Sequence, residues 1–334
     1  MVKMQKPDGI FILDKNSYDL IYNKNQRQKI NNRVKIVSEQ ITAESIFQNL
    51  HLLSNVKYIF SGWGGPELNT EFLSAAPLLE VVFYGAGSIR GIVTDESWER
   101  GVRITSAYAA NGVPVVEFTL AQIFLCLKKA YQQAAMYKQK KIWYRLPVPG
   151  SYHSTVGIIS LGMIGQMLAE QLLKFDVEVI AYDPFLKTEQ ARKLRVEMVS
   201  LEEVFQRSDV VTLHTPWLPE TEGMITGRYF QMMKQNASFI NTARGAVVNE
   251  QEMIRELQDR PDLFAVLDVT HPEPPLEDSL LYSLPNVFLT PHIAGSMDRE
   301  CQRMGQVMVD ELRLYMAGKP MRYEIFSEQA KTLA

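Results

Sequence analysis

Thr155-Val-Gly-Ile-Ile-Ser-Leu-Gly-Met-Ile-Gly165, followed by an apolar helical pattern and then by Val177-Glu-Val-Ile-Ala-Tyr-Asp183, decides how this chain folds. The stretch reads as a strand, a glycine turn, a helix, a second strand and a terminal carboxylate, the layout with which a βαβ unit grips a dinucleotide. Residues 155–159 are β-branched and short, as a buried parallel strand requires. Gly162 lets backbone approach a pyrophosphate, Gly165 lets the helix lie against the strand, and the helix N-terminus, with Met163 and Ile164, offers N–H groups to phosphate. Ile164, Leu168 and Leu172 recur at helical spacing and face the sheet. Asp183 stands where an acceptor for ribose hydroxyls is expected, and its charge repels a 2′-phosphate. Pro184 and Phe185 follow it, with no arginine, so NAD is favoured over NADP. Ser160 takes the place of the first glycine of G-x-G-x-x-G, which sets a side chain near the phosphates and makes cofactor affinity the property at stake.

Around this unit the chain is organised as two α/β series. Short β-rich runs at 9–13, 34–37, 56–60, 81–84 and 102–106 alternate with polar or helix-like segments and predict a first parallel layer. A second series starts at Thr155 and continues through 177–182, 210–214, 238–242, 264–269 and 287–290, predicting a second doubly wound sheet. Ser200 with Glu203 forms a capping box, and Asn249 caps a helix with acidic first-turn residues. Between the series, residues 113–145 run from an apolar helix into Lys128-Lys129 and the lysines of 138–141, then to Pro147-Val-Pro-Gly150. This segment is either a solvated helix face or an arm that packs on a second subunit. The final helix, 296–316, and the run 321–325 come too late to extend the second sheet and are expected to return to the first domain, making a two-strand hinge.

Composition narrows the function. The 334 residues suffice for two domains, 46% of them are hydrophobic, and a net charge of −3 offers no field to a nucleic acid or an anionic membrane, so a small-molecule partner is expected. The opening Met1-Val-Lys-Met-Gln-Lys-Pro7 lacks a leader pattern, and the apolar run 118–127 is too short to span a bilayer, which points to the cytoplasm and to no membrane partner. Cys126 and Cys301 sit in helix-like segments and read as small buried hydrophobes, with no thiolate metal site or disulfide framework. The fifteen methionines are scattered as core fillers.

Three segments close predicted strands of the second sheet, where ligands bind in open α/β folds: Asn241-Thr-Ala-Arg-Gly245, Asp268-Val-Thr-His-Pro-Glu-Pro274 and Thr290-Pro-His-Ile-Ala-Gly295. With the glycine fingerprint ahead of them, and in this order, they make the chain resemble the NAD-dependent D-2-hydroxyacid dehydrogenases over nearly its whole length. That resemblance implies two doubly wound parallel-sheet α/β domains joined by hinge helices. One is a flavodoxin-like substrate domain, 1–109 completed by 299–334; the other is a Rossmann cofactor domain, 110–298, with a dimerisation arm near 128–150 and a homodimeric assembly. It implies that His214, Thr215, Pro216, Thr242, Ala243 and Asp268 lie along the NAD, and that Ala86 and Gly87, in Tyr84-Gly-Ala-Gly-Ser-Ile-Arg90, hold the substrate carboxylate through backbone N–H groups.

The residue types agree with the chemistry. Reducing a 2-oxo acid adds hydride to the carbonyl carbon and a proton to its oxygen beside a carboxylate. Arg244 presents a planar, permanently charged fork to carboxylate and carbonyl oxygen. His292 donates the proton, or accepts it in reverse, and Glu273 beside it is expected to stabilise the imidazolium and raise the histidine pKa. His214 remains equally readable as a structural strand-end histidine, and His51, His153 and His271 carry no assigned role. Ile89 and Arg90 stand where the family usually has an aspartate after the carboxylate loop; Arg90 either reaches an extra anionic or hydroxylated substrate group or pairs with Asp95 or Glu96. Trp63 reads as a core aromatic that could also wall the pocket. The resemblance leaves three activities open: reduction of a small 2-oxo acid, a phosphoglycerate- or sugar-acid-specific dehydrogenase, and an NADH-sensing binding protein of the C-terminal binding protein type. No added regulatory domain is expected after the last helix.

Overall fold

The computed structural model describes residues 6–186 and 188–331; residues 1–5, read above for a leader, lie outside the described residues. The chain divides into two compact units, Met1–Gly112 with Ser296–Ala334, and Val113–Gly295.

In the first unit, β1 (Asp8–Ile12), β2 (Lys35–Ile36), β3 (Val56–Ser61), β4 (Val81–Tyr84) and β5 (Arg103–Ser106) form a parallel sheet in the order β2-β1-β3-β4-β5. That 2-1-3-4-5 order is the flavodoxin-like arrangement. In the second unit, β6 (Ser154–Ile159), β7 (Val177–Tyr182), β8 (Glu197–Met198), β9 (Val210–Leu213), β10 (Ser238–Asn241), β11 (Phe264–Leu267) and β12 (Val287–Leu289) form a sheet that is parallel throughout. Its order, β8-β7-β6-β9-β10-β11-β12, is the doubly wound 3-2-1-4-5-6 pattern with one strand added at the edge. The edge strand β8 was not read from the sequence, because its two residues in a charged stretch carry no period. A final strand, β13 (Glu324–Ile325), adds antiparallel to β5, returning the C-terminal segment to the first unit.

Continuous apolar strands are explained by burial on both faces. In β4, Val81 and Phe83 join one core with Met304 and Met308, while Val82 and Tyr84 join the other with Phe72 and Leu73. In β10, Phe239 packs with Phe205 and Phe230, and Ile240 with Val156 and Ile123. Helix Cys301–Met316 belongs to the first core, and its Gly305 allows the approach: a Cβ there would sit 1.8 Å from the Ile21 carbonyl oxygen. The buried carboxylate of Glu311 accepts from Thr105 Oγ1 and from the N–H groups of Arg322 and Tyr323, and Arg103 grips Glu324 bidentately at 2.6 Å, so polar contacts fasten β13 to the sheet edge.

The apolar run 118–127 is part of a longer helix, Tyr108–Leu127, whose twenty residues are long and apolar enough to cross a bilayer by length and composition. Here 56% of that window is buried within the protein, with Ile123, Cys126 and Leu127 in the core beside β6. The next helix, Ala130–Lys140, buries none of its residues. The capping box of Ser200 with Glu203 and the Asn249 cap both form.

Candidate active site

The glycine turn is built as its residues require. Gly162 caps helix Met163–Leu172 without a side chain, leaving the first-turn amides no side-chain acceptor, and a Cβ on it would meet no atom within 4 Å. A Cβ on Gly165 would lie 2.2 Å from the Ser160 carbonyl oxygen, so glycine is what lets helix and strand touch. An uncapped helix start facing open space, at the ends of β6 and β9 where the strand order reverses, fits the phosphates of a dinucleotide. Ile164 packs against the core beneath the turn. Asp183 closes the unit: its Oδ2 accepts from Leu161 N at 2.8 Å and its Oδ1 from Phe185 N and Leu186 N. Part of its capacity is thus spent fixing the turn, and the carboxylate remains beside it as an acceptor for a ribose.

Across from the turn, His214 follows β9. Its Nε2 shares a hydrogen bond with Thr212 Oγ1 at 3.0 Å, while its buried Nδ1 has no hydrogen-bond partner among the described residues. Burial pushes its pKa down to about 4, so the ring is neutral near pH 7. Thr215 is buried and bonded to Ser160, and Pro216 carries on the loop, its carbonyl accepting from Thr221 Oγ1. After β10, Thr242 shares a hydrogen bond with Thr119 at 2.9 Å, and the Asn241 side chain bridges Ala243 N and the Arg244 carbonyl. One Arg244 N–H donates to the Ala243 carbonyl at 2.6 Å, which curls the guanidinium over its own loop.

Contacts between loops draw the three motif segments together. A Cβ on Gly245 would lie 2.0 Å from the Thr270 carbonyl carbon, so the arginine loop and the glutamate loop are in backbone contact. Asp268, buried at the end of β11, accepts from Thr290 Oγ1 and from the N–H groups of Ile293 and Ala294, while its carbonyl accepts from His292 N. His292 itself sits at φ 54°, in the left-handed region that few residues with a side chain adopt. Its Nδ1 meets Glu273 Oε1 at 2.6 Å, with both side chains part-exposed. A cavity of about 770 Å³ opens beside this pair, lined among others by Thr270, Tyr282, Phe288 and Leu289.

The sequence did not single out the anchoring job of Asp268, expected along the cofactor, or Thr290 as its partner. A carboxylate at one strand end and a Thr-Pro-His at the next is the signal that pairs them. Ala86 and Gly87 lie in the first unit at the end of β4, where Ser106 Oγ engages both of their carbonyl oxygens. Trp63 packs against that unit's cores, as the core-aromatic reading expects.

Residues 120–294 match the D-isomer specific 2-hydroxyacid dehydrogenase, NAD binding domain, over more than half of the chain. The chain therefore belongs to the D-isomer specific 2-hydroxyacid dehydrogenases. It is 31% identical over 75% of its length to a D-3-phosphoglycerate dehydrogenase of Mycobacterium leprae, covering 48% of that protein. It spans about half the length of the curated relatives it matches. Among solved structures, a phosphoglycerate oxidoreductase from Rhizobium etli superposes with a TM-score of 0.81 at 21% identity, over 97% of this chain and 99% of that one. The apo D-mandelate dehydrogenase of Rhodotorula graminis also reaches 0.81 at 21% identity, over 96% and 98%. These structural likenesses bear on the fold, two parallel-sheet α/β domains.

Proposed function

We propose that this protein reduces a small 2-oxo acid to the D-2-hydroxy acid with NADH, and that His292 is its proton donor. The observation that carries the reading is the 2.6 Å contact of His292 Nδ1 with Glu273, on a loop anchored by Asp268. A carboxylate only accepts, so Nδ1 carries a proton and Nε2 is the atom left to exchange one with substrate. Bound at the glycine turn, NADH would supply the hydride. Arg244 holds the substrate carboxylate and draws charge onto the carbonyl oxygen. His292 Nε2 delivers the proton to that oxygen, and Glu273 keeps the ring oriented.

Names of the relatives favour one second reading, a phosphorylated substrate such as 3-phosphoglycerate. The unbridged, buried Cys126 and Cys301 support a reducing compartment, taken here as the cytoplasm. Exposed Tyr137, Ile142, Trp143 and Tyr144 on the arm around helix Ala130–Lys140 support a homodimer built on that segment, which light scattering at working concentration checks.

Loss of NADH absorbance with a panel of 2-oxo acids, phosphorylated members included, tests the activity. His292→Ala should cut turnover of the best substrate by about 10²–10⁴ while NADH affinity stays within a factor of two. Turnover retained in that variant removes His292 from the mechanism. NADH binding without turnover of any member moves the assignment to an untested sugar acid or a nucleotide-sensing role.

A further inference from the structure

Ser160 is the place where this chain leaves the G-x-G-x-x-G pattern, and the structure holds it at φ 74°, in the left-handed region that glycine enters without cost. Its N–H donates to the Tyr182 carbonyl, so the conformation is fixed by the sheet. The side chain is not turned away into solvent. Ser160 Oγ and Thr215 Oγ1 lie 2.7 Å apart, joining the ends of β6 and β9. Two hydroxyls bonded to each other use one of their two protons, and the second has no protein acceptor among the described residues. Thr215 is buried whereas Ser160 is only part-buried, so Ser160 is the member of the pair that a ligand can reach. Gly162, two residues on, opens onto empty space at the helix start. A strained residue whose hydroxyl is engaged at a ligand-binding crevice points to a ligand.

We propose that the Ser160–Thr215 hydroxyl pair is a cofactor-contacting element in which buried Thr215 orients Ser160 and the Ser160 hydroxyl donates its proton to the diphosphate bridge of NAD(H), adding a side-chain hydrogen bond at a position where a glycine would serve only the tight turn. The diphosphate is the recipient because its oxygens only accept and because this turn lies where a dinucleotide's phosphates rest. The proposal rests on the NAD-dependent reading above and concerns binding, not the chemical step.

The experiment measures NADH and ADP-ribose affinity by calorimetry for the whole chain and for Ser160→Ala, Ser160→Gly, Thr215→Val and Thr215→Ser, with thermal midpoints recorded alongside. Ser160→Ala should weaken both ligands by about tenfold, the scale of one hydrogen bond to a charged acceptor, and Thr215→Val by a smaller factor, because Ser160 then keeps its proton and loses only its orienting partner. Their double variant should be little worse than Ser160→Ala alone, since Thr215 acts through the Ser160 hydroxyl. Thr215→Ser should bind as the parent does. Ser160→Gly should bind more weakly while melting no lower than the parent, because glycine relieves the backbone as the hydroxyl goes. Unchanged affinities in Ser160→Ala and Thr215→Val, or tighter binding by Ser160→Gly, overturn the proposal. Weakening of NADH without weakening of ADP-ribose overturns the diphosphate assignment. If the unmodified chain binds neither ligand, the NAD-dependent reading itself fails; if it binds both and the variants match it, only the hydroxyl pair falls.

Discussion

His214 shows what burial does to a residue whose type was legible but whose role was not. A histidine at a strand end reads from sequence as cofactor neighbour or as structural filler, and nothing local decides between them. In the structure its ring is neutral, one nitrogen bonded to Thr212 and the other unpartnered. The unfolded ring takes up a proton near 6.5, whereas burial delays this to about 4 in the folded protein. Folding therefore loses stability as pH falls through that interval, and the contribution is fully present above it. Imidazole resonances followed by NMR should place the His214 midpoint near 4; a midpoint near 6.5 would mean that the ring is solvated. For Arg244, Glu273 and His292 the residue types and their chain order were readable, because both are properties of the linear sequence. The left-handed backbone of His292 and the triple hydrogen bonding of Asp268 were not, since both depend on residues brought in from neighbouring strands.

At the scale of elements, period and punctuation carried most of the reading. Short β-rich runs bounded by turn residues announced the buried parallel strands, and Ser200 and Asn249 announced helix starts that the structure forms. Helix Cys301–Met316 was expected in the first domain from its position late in the chain, yet the reason it fits lies in Gly305 against Ile21. Gly305→Ala would drive a methyl into backbone, which cannot yield as a flexible side chain does. Chemical denaturation should show a loss of at least about 2 kcal/mol, the scale of overpacking a close-packed site. An unchanged midpoint would show that the helix is free to shift outward.

For the molecule as a whole, the decisive quantity is strand order, which no local pattern encodes. The 2-1-3-4-5 and 3-2-1-4-5-6 orders follow from crossovers that are right-handed and from which faces must be covered. One consequence is that the first unit is assembled from both ends of the chain. Deleting residues 301–334 removes Met304, Met308, Val309 and Leu312 from its core, roughly 6–12 kcal/mol of burial at about 1.5–3 each, comparable to the whole stability of a domain. Limited proteolysis of that truncated chain should consume the first unit and spare a fragment near 113–295 that still binds NADH. A protected N-terminal fragment would show that the first sheet folds without its C-terminal helix.

What the sequence by itself determined about this protein was the strands of both sheets except β8, the glycine turn with its carboxylate, and the order of the arginine, glutamate and histidine motifs at strand ends, because hydrophobic period, turn residues and motif order are all carried by residue type and spacing along the chain. What only the tertiary structure decided was which groups meet: Asp268 holding the His292 loop, Gly245 against Thr270, and Ser160 bonded to Thr215. Those contacts join residues 22 to 55 positions apart or lying on different strands, and hydrogen bonds of that reach are set by how the sheet aligns its strand ends, not by neighbours in the chain.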